Sequence, residues 1–152
     1  MLSLPCSTWA SRLLLLAALS TTGAACTSSP PLDPGSFPSE AYVVLESEEG
    51  ELQLELRTAP EQPPSRGSIA VELRVRRNEQ PLTGLQIQVR PWMPSMGHGT
   101  SPDPSVQELG EGSYVVHDVN TYMPGEWELE LLLTEDQGEG EAHHAAARLR
   151  VL

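Results

Sequence analysis

The most chemically distinctive residues of this 152-residue chain are three methionines and a histidine confined to two short segments. Met93, Met96 and His98 fall within the run MPSMGHG, and Met123 opens the run MPGEW that ends on Trp127. Thioether sulfur and imidazole nitrogen are soft and borderline donors suited to copper, above all Cu(I). A single loop can fold Met93, Met96 and His98 around one ion, and Met123 completes a three- or four-ligand set if its turn is a neighbour. Gly97 and Gly99 flank the histidine and permit positive φ there. With one histidine and no carboxylate in the motif, zinc is disfavoured against copper. The same residues also support a packing reading, because methionine fills irregular gaps and makes good contacts with aromatic rings. In that reading the three methionines cap one end of the fold against Trp92 and Trp127, and His98 donates a hydrogen bond to a loop carbonyl.

The remaining polar residues carry less. His117 is expected to be a partly exposed strand residue, and Asp118 beside it orients His98 only if the fold joins them. His143 and His144 open the last strand, where successive side chains point to opposite faces. They are therefore not a chelating pair and are read as surface residues. No G-x-S-x-G, H-E-x-x-H or glycine-rich phosphate loop is present, so the chain is expected not to be an enzyme. Its carboxylates mostly alternate with leucines, which predicts exposed strand faces that stay soluble and resist edge pairing.

What positions these groups begins with export. Arg12 precedes an apolar run, Leu13 to Leu19, and a small-residue stretch ending at Cys26, which is the order of a secretory signal over residues 1–25. The apolar run is far short of the ~20 residues that span a bilayer. Gly23-Ala24-Ala25-Cys26 resembles the lipobox of bacterial lipoproteins, with Gly23 where that motif prefers leucine. The resemblance implies lipidation of Cys26 and anchorage to a membrane in the cell envelope, on the periplasmic face in a Gram-negative cell. Cys6 leaves with the signal, so Cys26 has no disulfide partner. Residues 26–39 then form a tether rich in proline and serine, in which Phe37 is read as solvated. The exported part keeps all 21 acids and has no lysine. That acidic surface disfavours nucleic acid.

From residue 40 to 152 the pattern is short alternating runs. Leu52, Leu54 and Leu56 alternate with polar residues, as do Ile69 to Val75, Leu85 to Val89, Trp127 to Leu133 and Ala147 to Val151. Period two marks a strand buried on one face. With Tyr42–Leu45 and Tyr114–Val119 this makes about seven strands, which predicts a single all-β, immunoglobulin-like antiparallel sandwich, with a small barrel as the alternative. The segment between Val89 and Tyr114 reads as a long irregular loop, a length more often functional than incidental.

Pro91, the run Met93 to Gly99, then Gly112-Ser113-Tyr114 and Met123-Pro124-Gly125-Glu126-Trp127 together resemble the YtkA-like domain family. The match is concentrated between Val89 and Leu133. The resemblance implies a small extracytoplasmic β-sandwich akin to periplasmic copper-handling modules. Two functions follow as expectations: a tethered domain that binds or delivers Cu(I) through Met93, Met96, His98 and Met123, or a metal-free module that contacts an envelope protein with the same loop.

Overall fold

The computed structural model describes residues 36–135 and 139–152, so the signal segment, Cys26 and most of the tether lie outside the described residues. The strands are β1 (Val43–Glu46), β2 (Gln53–Ala59), β3 (Gly67–Arg77), β4 (Gln80–Pro81) and β5 (Gln86–Met93), then β6 (His98–Gly99), β7 (Ser105–Gly110), β8 (Ser113–Thr121), β9 (Gly125–Thr134) and β10 (Ala142–Val151). They form two antiparallel sheets, one ordered β1-β2-β3-β8-β7 with β4 on β3, the other β10-β9-β5-β6. Apart from β1, the orders β2-β3-β8-β7 and β10-β9-β5 correspond to the A-B-E-D and G-F-C sheets of the immunoglobulin fold. The expected sandwich is found; the two sheets do not join into a barrel.

Alternation builds the core. On β9 Trp127, Leu129, Leu131 and Leu133 point inward, and on the facing sheet Leu54, Leu56, Leu73 and Val75 are fully buried. Each large side chain so buried contributes about 1.5–3 kcal/mol before the entropy of ordering it is counted. Tyr114 on β8 ties down the passage from β4 to β5. Its hydroxyl donates to the Leu82 carbonyl at 2.9 Å and accepts from the Leu85 amide at 3.3 Å.

All seven expected strands are present, and β4, β6 and β7 are additional. Two of these are only two residues long. The third lies at a sheet edge and has only Val106 and Leu109 half-buried among its apolar residues, so it carries no alternation to detect. The segment between Val89 and Tyr114 is thus a hairpin followed by an edge strand rather than one irregular loop.

The exposed-carboxylate expectation fails at Glu72, which is 1% exposed on the outer side of β3. It sits 3.5 Å from the buried Arg57 guanidinium and accepts from Ser113 Oγ at 3.1 Å. Arg57 also donates to the Ser39 carbonyl, and Gln62 to that of Glu40. The end of the tether therefore lies on the sandwich, and Phe37 is half-buried rather than fully solvated. The sandwich belongs to a single compact unit, Leu32–Leu152, and its core comes wholly from within it, as expected of a unit that folds alone.

Candidate metal centre

β5 carries Met93 to one pole of the sandwich. The Met93 carbonyl accepts from the amides of Met96 (3.1 Å) and Gly97 (3.0 Å), which closes the turn into β6. Gly97 takes φ +68° there, a conformation that suits glycine. Gly99 serves differently: its φ is not positive, but a Cβ would lie 2.7 Å from the Pro91 carbonyl oxygen, so its bareness lets β6 close onto β5. Met93 and His98 are directly paired in this hairpin, so their side chains share one face.

On the neighbouring turn, the Met123 carbonyl accepts from Trp127 Nε1 at 2.9 Å. Met93 Cε packs so closely over Gly125 that a Cβ there would lie 2.8 Å away. The fold thus brings the hairpin of Met93, Met96 and His98 beside the turn that carries Met123. Burial divides the four. Met93 is 6% exposed within the core, Met123 is half-buried against it, and Met96 at the hairpin tip is 57% exposed. His98 is exposed, with its Nδ1 at 3.0 Å from the Gly99 carbonyl. A carbonyl only accepts, so Nδ1 is the donor in this contact, and Nε2 is the ring nitrogen left to face a metal. Trp92 does not share the face of Met93. It is on the opposite face of β5, with the Arg90 guanidinium 5.2 Å from its ring centroid.

The other histidines separate. His117 is half-buried opposite Ser105, beside a bulge where Asp118 adopts φ +59°. His144 is exposed, and its ring and backbone amide meet the Glu49 carboxylate. Those contacts pull the Glu49 pKa from 4.5 down to about 2, the His144 side-chain hydrogen bond being the largest cause. His143 corrects the surface reading, because its side chain is 0% exposed. Its Nε2 lies 3.0 Å from Arg77 Nη2 and 3.2 Å from Glu135 Oε1. Glu135 is held below its ordinary pKa, chiefly by the Arg77 side chain. The signal was there to find: Ala145, Ala147, Leu149 and Val151 are inward, and the same phase extended back two residues puts His143 inside.

A two-sheet antiparallel sandwich with a methionine–histidine hairpin at one pole defines a small β-sandwich domain of immunoglobulin-like topology. The sequence profile of the YtkA-like family matches residues 46–131, more than half of the chain, and the chain belongs to that family. No curated protein sequence matches it. Among solved structures, it is similar to a copper-bound variant of FetP from uropathogenic Escherichia coli, with 7% identity and a TM-score of 0.49 over 67% of this chain and 85% of that one.

Proposed function

We propose that this chain is a lipid-anchored extracytoplasmic protein without catalytic activity, whose domain binds Cu(I) through Met96, His98, Met93 and Met123. The observation that carries this reading is the exposed His98, with Nδ1 engaged by the Gly99 carbonyl and Nε2 free, on a hairpin whose Met93 packs over the Met123 turn. All the methionines of the exported part are then at one pole, with an imidazole among them. That donor set fits Cu(I), for which thioether ligands provide affinity and selectivity. The signal, Cys26 and the tether support presentation of this pole outside the cytoplasm, held to the envelope by acyl chains.

A second reading rests on burial. Met93 is a core residue and Met123 packs against the core. If their thioethers serve packing alone, the exposed Met96 and His98 are left as contacts for an envelope protein. Titration of residues 27–152 with Cu(I) in competition with a chromophoric chelator separates the two. The copper reading expects one site per chain, weakened at least about tenfold by Met96→Ala and by His98→Ala. No competition with the chelator overturns it and leaves the interaction module.

A further inference from the structure

The other pole of the sandwich carries a different set of donors. β9 runs from Gly125, beside Met93, to Thr134, which pairs with Ala142, so His143 is at the far end, about 25 Å along the strand. Glu49 and Glu51 reach it from the β1–β2 turn, Arg77 from the end of β3, Glu135 from the end of β9, and Glu141 from the start of β10. One ligand atom each from Glu51, Glu141 and His143 lie within 4.8 Å of one another.

His143 makes this more than an acidic cluster. Its side chain is completely buried, yet Nδ1 has no hydrogen-bond partner, with Glu49 Oε2 4.0 Å away. A buried ring nitrogen left unpaired is a standing cost to the fold. The carboxylates of Glu51, Glu135 and Glu141 gather around the Arg77 guanidinium, so this end of the cluster is net negative. Arg77 Nη2 contacts Glu135, lies 3.6 Å from Glu51 and 3.0 Å from His143 Nε2, and acts as the cluster's cation.

We infer that Glu51, Glu141 and His143 form a second cation site, suited to a divalent ion of borderline softness such as Zn²⁺, for which the Arg77 guanidinium competes. One imidazole and two carboxylates are donors that Zn²⁺ accepts at about 2.0–2.2 Å, with water filling the fourth position. Donors around such an ion stand about 3.4 Å apart, so closure asks the exposed Glu51 and Glu141 side chains to move in by about 1 Å. The imidazole needs no such adjustment, because the strand register and the core hold it in place. Nothing here depends on the methionine hairpin, whose soft donors select a different ion.

The test is Zn²⁺ titration of residues 27–152, which lack both cysteines, in competition with a chromophoric chelator at neutral pH. One Zn²⁺ per chain is expected. Glu51→Gln and Glu141→Gln each weaken it at least about tenfold. Arg77→Gln tightens it by removing the competing cation, and Met96→Ala and His98→Ala leave it unchanged. Both glutamines are isosteric surface replacements, and an unaltered far-ultraviolet spectrum verifies that those variants fold. The inference is overturned by the absence of Zn²⁺ competition, by binding that survives Glu51→Gln and Glu141→Gln, by loss on Met96→Ala or His98→Ala, or by Arg77→Gln binding no tighter than the parent.

Discussion

Replacing Met93 in two ways separates its packing from its sulfur. The side chain is 6% exposed, with its terminal methyl against Gly125 and its strand beside that of Trp127. Truncation of a buried methionine to alanine costs about 2–5 kcal/mol, depending on how far the site collapses. Collapse is poor here. Gly125 has no side chain to offer, and Trp127 is held by its bond to the Met123 carbonyl. Met93→Ala should therefore fall in the upper half of that range, about 3.5–5 kcal/mol, and lower the melting temperature by about 15–20 °C in a domain of this size. Met93→Leu conserves volume and should cost less than about 1.5 kcal/mol. It removes the thioether, however, so Cu(I) affinity should still fall at least about tenfold. Urea unfolding and chelator competition on the same three proteins supply both numbers. An alanine cost below about 1 kcal/mol refutes the packing argument. Unchanged Cu(I) affinity in Met93→Leu removes Met93 from the ligand set and leaves it a core residue.

Two further outcomes follow from charges. Arg57→Met removes one of the two guanidinium partners of the buried Glu72 carboxylate, Arg74 at 3.3 Å being the other, and should cost about 1–3 kcal/mol, while the double replacement Arg57→Met with Glu72→Leu should cost less than that single change; a double variant less stable by denaturant unfolding refutes this. Glu49 should titrate near pH 2, and His144→Ala should return it toward 4.5. Because its pKa is depressed in the fold, its contact stabilises above the ordinary carboxylate range and is lost as the pH falls through about 2. A carboxyl resonance of Glu49 titrating near 4.5 in the parent chain contradicts the contact.

The sandwich was legible because each core strand exposes one face, and alternation records that directly. β7 was not, because an edge strand with two half-buried apolar residues leaves no periodic trace. The candidate site was half legible. Residue type and spacing bring Met93, Met96 and His98 to one hairpin, and their chemistry needs no structure to state. Burial is another matter, since it depends on phase relative to the core. That phase was available: Ile87 and Val89 point inward, and the same period carries Pro91 and Met93 inward and sends Trp92 outward to Arg90. Extending β10 in the same way would have buried His143. What no period encodes is the company His143 keeps. Arg77 and Glu135 are 66 and 8 residues away in the chain, and only the pairing of the sheets brings them to its ring.

Met93 and His143 are thus equivalent in origin and opposite in consequence. Each is an inward-phase residue at the end of a core strand, where the apolar stack stops and loops from other strands close over it. Such a position holds a side chain rigidly and leaves one side open to whatever the loops bring. At the Met93 pole the loops bring Met96, His98 and Met123, so the donors are thioethers and one imidazole. At the His143 pole they bring carboxylates and a guanidinium. Sulfur and carboxylate differ in softness, so the two poles should not compete for the same ion. The proposed Cu(I) site at one end and the proposed divalent site at the other are therefore expected to fill independently, and each substitution set reports on its own pole.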